Sequence, residues 1–215
     1  MVLSRVALDA ANRQTMIALQ NPAKFHGAVE QAFEPRAKRV LWRVDTLGGR
    51  YYLLILSEET PTLDGVVRQF GTGEAPETRD YAPLLERISD GSRWAFRLHA
   101  NPTYSQGGDG KRGKVHACTV IRPPREATAE VKTQYGWLMH QAQAHGFALD
   151  EDGFGVTRNQ WFSFSKPGSG QVRLLGVTYE GMLTVTDAQK FRQALTEGVG
   201  RGKAYGMGLL TVVRP

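Results

Sequence analysis

A single cysteine, Cys118, stands in 215 residues. That excludes an intramolecular disulfide and any cysteine-rich zinc site. Apolar runs are equally scarce. None approaches the roughly 20 residues that span a bilayer, and the opening MVLSRVALDAANRQ lacks the order of a signal peptide. A cytoplasmic protein with no membrane partner is the expectation. Histidines and carboxylates at metal-ligand spacing are missing, as is the G-x-S-x-G elbow of serine hydrolases. No metal and no cofactor are therefore expected. What remains is enough apolar content, 41% of residues, to fold around a core.

Acidic charge is also scarce, but only in the second half. Residues 1–90 hold 11 Lys/Arg against 12 Asp/Glu, whereas 91–215 hold 16 against 9. Within 91–125 there are seven basic residues and one acid, Asp109. A basic surface confined to one half suits a polyanion such as nucleic acid, although plain solubilising charge reads the same way.

Periodicity predicts two similar halves. VLSRVAL (2–8) reads as a strand, and NPAKFHGAVEQAF (21–33) as a helix with Asn21 as N-cap and Pro22 in its first turn. Strands at 39–46 and 51–57 flank a Gly48–Gly49 turn. A short helix at 62–70 and a strand at 81–88 complete a β-α-β-β-α-β order. The second half follows roughly the same order with extra hairpin strands: a strand at 92–102, a basic loop at 105–114 and a strand at 114–121. There follow a helix at 126–145, a hairpin over 159–187 with a KPGSG tip, a helix at 187–198 and a last strand at 209–214. The fold class is α+β, with tandem ferredoxin-like (RRM-like) domains of antiparallel sheets spanning 1–90 and 91–215. A four-stranded sheet of this kind serves RNA recognition, but the aromatic RNP1 pattern of that module is absent.

Two local features carry chemistry. His26 sits at the border of the apolar stripe on the first predicted helix, with Glu30 one turn later to orient its ring. A histidine titrating near neutrality can take or give a proton. His140 and His145, five apart on a predicted helix, do not share a face, and His99 and His116 on predicted strands have no acidic partner nearby in sequence; all four read as surface or structural groups. Residues 198–208 read GVGRGKAYGMG, five glycines in eleven residues with Arg201 and Lys203 between them. This is no P-loop, because Glu197 stands where the first glycine belongs and Ala204 follows the lysine. It fits no G-x-G-x-x-G frame either. Paired glycines allow positive φ and an anion-binding nest of backbone N–H groups, or simply a turn after a helix.

GVGRGKAYGMGLLTV, following a helix near the end of the chain, resembles the glycine-rich loop of the repeat-associated (RAMP) superfamily of CRISPR proteins. FRLHANP (96–102), WLMHQAQAHGF (137–147), YEGMLTVTD (179–187) and NPAKFHGAVEQAF (21–33) are similar to the CasE endoribonucleases of type I-E CRISPR systems. The resemblance implies cleavage of precursor CRISPR RNA, without metal, at the base of the repeat hairpin. In that reaction the 2′-hydroxyl attacks the adjacent phosphate, leaving a 2′,3′-cyclic phosphate and a 5′-hydroxyl. It further implies retention of the mature RNA and assembly with other Cascade subunits, and it puts the catalytic histidine in the place of His26.

The sequence departs from the family in two places. Relatives carry tyrosine three residues before the histidine, where this chain has Ala23; Lys24 is the nearest polar substitute. His99 replaces an arginine of the family's FRLRANP, which either removes a phosphate contact or adds a titratable group. For RNA, the expectation is that Gly200, Gly202, Gly206, Arg201 and Lys203 lie against the backbone. Lys166 and Arg173 of the hairpin would hold the stem, and Arg93, Arg97, Lys111, Arg112 and Lys114 form a second candidate surface. A non-catalytic RNA-binding RAMP subunit, or a protein binding a small anionic metabolite at the glycine loop, are the alternatives.

Overall fold

The computed structural model describes residues 1–33, 39–106, 113–122, 132–166 and 170–215. The first half is built from β1 (Val2–Leu8), α1 (Arg13–Gln20), α2 (Pro22–Gln31), β2 (Val40–Leu47), β3 (Arg50–Ser57), α3 (Asp64–Phe70), β4 (Glu77–Asp80) and α4 (Ala82–Glu86). Its four strands form an antiparallel sheet in the order β2-β3-β1-β4. The second half holds β5 (Arg93–Ala100), β6 (Thr103–Gln106), β7 (Lys114–Ala117), α5 (Gln134–Ala144), β8 (Phe147–Ala148), β9 (Phe154–Lys166), β10 (Gly170–Val185), α6 (Ala188–Glu197) and β11 (Leu210–Val213). Its main sheet runs β11-β5-β10, with β8 and β9 both on the far edge of β10. Each half thus places its last strand on one side of its first, and the second strand of its long hairpin (β3 in one half, β10 in the other) on the other side. This is the ferredoxin-like order, twice.

Local chemistry explains the boundaries. Asn21 Oδ1 accepts from the Ala23 amide at 3.2 Å, and Pro22 needs no donor in the first turn, so α2 starts where its residues allow. Phe25, Ala28 and Val29 turn inward against Val6, Trp42, Leu53 and Ile55 on the helix-covered face of the first sheet. Asn21 also closes α1, a helix absent from the sequence reading. The buried face of α1 is only Thr15 and Ala18, while Met16 and Ile17 are exposed, so no apolar stripe announces it.

Three expected elements need correction. The fourth strand is ETRD (77–80), four exposed residues on the sheet edge, and not 81–88. The latter segment turns into α4, because Asp80 Oδ1 caps the Ala82 amide at 3.0 Å and Pro83 suits the first turn. The strand expected at 114–121 ends at Ala117 and pairs with β6, taking the ends of the expected loop into a small two-stranded sheet. α5 begins at Gln134, with Thr133 Oγ1 accepting from the Gly136 amide at 3.0 Å. Residues 126–131 of that expected helix lie outside the described residues.

The two halves meet through a buried arginine. Arg43, 2% exposed, forks onto Asp45 with Nε–Oδ1 of 2.6 Å and Nη2–Oδ2 of 2.7 Å. Its Nη1 donates to the carbonyls of Arg97 (2.9 Å) and Leu209 (2.7 Å), and its Nη2 to Thr211 Oγ1 (2.8 Å). Leu41, Leu54 and Leu56 of the first sheet join Phe96, Leu98, Leu195 and Leu210 in one core. The glycine-rich segment after α6 is therefore held against both halves.

Candidate functional site

Helix α2 carries His26 and Glu30 on one flank, with Nε2 and Oε2 3.5 Å apart. Both are about one-third exposed, at 31% and 35%, so the pair faces solvent without being fully hydrated. Beside it opens a cleft of about 490 Å³. Its walls are His26, Val29, Glu30 and Phe33 of α2, Arg39 and the start of β2, and Lys203 and Ala204 from the far end of the chain. The rings of His26 and Tyr205 meet at 60°, with centroids 6.2 Å apart. The first helix and the glycine loop, more than 170 residues apart in sequence, thus share one site.

The loop is held rigidly for its composition. Lys203–Tyr205 form a single 3-10 turn between Gly202 and Gly206, whose φ values are 84° and 76°. A Cβ on Gly206 would stand 2.6 Å from the Trp42 ring, and one on Gly200 would stand 2.8 Å from Trp137. Both glycines lie against tryptophans in left-handed conformations, which alone requires glycine. Val199, Met207 and Leu209 are fully buried, and Arg201 bridges to Asn101 at the end of β5. The Gly206 amide donates to the Lys203 carbonyl at 3.3 Å, and the Gly208 amide to His99 O at 2.6 Å. These two N–H groups are used inside the fold and do not face a phosphate. From this loop, Lys203 and Ala204 line the cleft. Burial pushes the Lys203 ammonium below the usual lysine range, and the charge of Arg39 adds to this; Glu197 opposes both. Arg39 itself pairs with Glu197 at 2.8 Å.

The other expected site residues are distributed as follows. Lys24 is exposed and does not line the cleft. Ala23 packs with Phe162, Phe164 and Tyr205 in a small apolar cluster. Arg173 lies on the hairpin β9–β10 with its guanidinium 4.3 Å from the centroid of Trp161. Lys166 is the last residue of β9, and 167–169 of the expected tip lie outside the described residues. Arg97 is engaged by Glu180 at 2.5 Å and by Asp45 at 3.4 Å, so it serves the seam between the halves. Arg93 starts β5, six residues or about 20 Å of strand from His99. Lys114 belongs to the separate β6–β7 sheet. Neither lines the cleft. Lys111 and Arg112 lie outside the described residues. His99 hydrogen-bonds Thr178 Oγ1 through Nδ1 at 2.9 Å, and burial, aided by Arg43, lowers its pKa to about 4. The same burial favours its neutral form. Arg39 belongs to no motif, and Tyr205 sits inside the glycine-rich stretch with nothing local to mark it; only the crossing of β2, α2 and the loop brings them to the site.

Among the described residues, no three His, Cys, Asp or Glu side chains come together as a metal-ion site would require. No helix among them is long and apolar enough to cross a membrane. The model of the family described as CRISPR associated protein matches residues 1–214. The chain belongs to that family. It is 28% identical over 225 residues to the CRISPR-associated endoribonuclease Cse3 of Thermus thermophilus, covering 99% of both chains. It is 34% identical over 122 residues to the CRISPR system Cascade subunit CasE of Escherichia coli, covering 54% of this chain and 56% of that one. Among solved structures it is similar to a CRISPR endoribonuclease Cse3 bound to 19 nt RNA, with a TM-score of 0.75, 26% identity and coverage of 99% and 100%. The family match spans both halves, from β1 to the last strand.

Proposed function

We propose that the chain is an endoribonuclease that cuts precursor CRISPR RNA within the repeat hairpin and keeps the product, with other Cascade subunits as its partners. The observation that carries this reading is the cleft where His26 and Lys203 meet, in a chain matched to a CRISPR family along 214 residues. Relatives named as endoribonucleases, one of them solved with RNA, support it.

The reaction needs a proton removed from a 2′-hydroxyl, a charge met on phosphorus and a proton given to the departing oxygen. His26, held by Glu30, takes the 2′-hydroxyl proton. The 2′-oxygen forms a bond to phosphorus as the bond from phosphorus to the 5′-oxygen breaks. Lys203 faces the phosphate, and its ammonium, a stronger acid than that of an exposed lysine, protonates the leaving 5′-oxygen. The products are a 2′,3′-cyclic phosphate and a 5′-hydroxyl, and solvent resets both groups. No step calls on a metal ion. Arg201 at the loop, with Lys166 and Arg173 on the hairpin, holds RNA backbone. A two-stranded ribbon can enter the deep groove of an RNA stem and touch mostly phosphates.

The test is cleavage of the repeat hairpin RNA in excess EDTA, with end-group analysis of the products. Wild type should cut and leave a cyclic phosphate. His26→Ala should cut about 10²–10⁴-fold more slowly with RNA affinity unchanged. Tight binding without any cut by wild type would leave an RNA-binding subunit; a cut that depends on added metal would overturn the mechanism.

A further inference from the structure

Of the four tryptophans, Trp42 and Trp94 are 3% exposed and Trp137 packs along Tyr179, but Trp161 is 42% exposed. It stands on β9 opposite Leu175, on the sheet face that buries Val177 and Tyr179, just beyond the end of that core. An indole in this position gains little from the fold. Arg173, on the neighbouring strand, places its guanidinium over one face of the ring at 4.3 Å. The pairing register puts Arg173, Ser163, Gln171 and Ser165 on the same face as Trp161. Gln171 Nε2 donates to Ser163 Oγ at 3.0 Å, so these side chains form an ordered polar border.

We infer that Trp161 and Arg173 form a stacking platform for an unpaired nucleotide of RNA. Every nucleobase has a π-face that can lie on an indole, and Arg173 steadies the ring while offering charge to the attached phosphate. Ser163 and Gln171 offer donors and acceptors to a base edge. Charge agrees: residues 158–173 hold Arg158, Lys166 and Arg173 and no acid. A protein partner fits less well, because interface anchors sit within an apolar surround, and the neighbours here are serine, glutamine and arginine. Position narrows the nucleotide further. Trp161 lies five residues, about 17 Å, behind Lys166 at the hairpin tip. With the tip seated in a stem, Trp161 stands where the paired region ends. The platform would thus take a base in the single-stranded flank.

This rests on the RNA reading above, and the experiment separates the two. Affinity at fixed salt is measured for the hairpin RNA with and without a short single-stranded extension, using wild type, Trp161→Ala and Trp161→Phe. Quenching of tryptophan fluorescence is followed in parallel. The extension should tighten binding by wild type about tenfold, in line with one stacked base. Trp161→Ala should lose that gain and the quenching, while binding the unextended hairpin as before. Trp161→Phe should keep most of the gain. If Trp161→Ala retains the gain, or weakens both RNAs equally, the platform is wrong and the RNA reading stands. If wild type binds neither RNA, both fall together.

Discussion

Lys203 is the residue whose role most depends on its surroundings. An exposed lysine stays protonated to about pH 10 and is a poor proton donor at neutrality. Here burial, with Arg39 close by, lowers that limit. A group acting as an acid is lost as pH rises through its pKa, so the cleavage rate should fall on the alkaline side, earlier than an ordinary lysine would give. Lys203→Arg keeps the positive charge but holds its proton throughout this range. The variant should bind RNA nearly as well, cut more slowly, and lose the alkaline fall. Single-turnover rates from neutral to alkaline pH measure this; an unchanged profile would assign the fall to another group. His26 was legible from sequence because Asn21 and Pro22 set the start of α2 and hence which flank it occupies. Lys203 was legible as a cation but not as a neighbour of His26, since no local pattern encodes that crossing. Lys24 illustrates the converse: adjacent in sequence to the site helix's apolar stripe, it points to solvent away from the cleft.

At the scale of elements, regular periodicity was readable and irregular packing was not. β1, the β2–β3 hairpin, α2 and α6 follow their sequence patterns closely, down to Asp187 accepting from the Lys190 amide at 3.0 Å and Gly198 closing α6 with φ 76°. β4 was missed because its residues, ETRD, are all exposed and mark an edge strand by pairing alone. The glycine loop was recognised as a motif, yet its physical logic lies in two tryptophans remote in sequence. Alanine at 206 would have to tolerate both a left-handed φ and a Cβ 2.6 Å from the Trp42 ring. The backbone term is about 1–2 kcal/mol and overpacking adds about 1–3 kcal/mol. Gly206→Ala should therefore lower stability by about 2–5 kcal/mol in urea titration. It should slow cleavage as well, because the same shift moves Lys203. Gly48→Ala, at φ 56° with open space around it, has only the backbone term and leaves the cleft alone. Equal losses of stability in the two variants would show that the tryptophan contact does not restrain the loop.

Across the whole molecule, the site exists only where the halves are joined: α2 belongs to one and Lys203 to the other. Their seam combines an apolar core with a charge network centred on Arg43, whose partners come from β2, β5, β11 and the residue preceding β11. The apolar residues of β2 hint at the burial of that strand, but nothing in the sequence sets Arg43 apart from the other basic residues as one that is buried. Removing one member of such a network leaves its partner charged and poorly hydrated, which costs about 3–5 kcal/mol, whereas removing both can be nearly neutral. Arg43→Leu strands Asp45, 7% exposed, with only the longer contact to Arg97, and frees two carbonyls that it had satisfied. The single variant should lose about 3–5 kcal/mol, and Arg43→Leu with Asp45→Leu should recover part of it. Because the seam positions Lys203 against His26, cleavage should fall more steeply than RNA binding in the single variant. If denaturation shows both variants equally destabilised, the carbonyl bonds to Arg97 and Leu209, and not the ion pair, hold the halves in place. In either case, loss of cutting in a protein that remains folded would tie catalysis to the register between the two sheets.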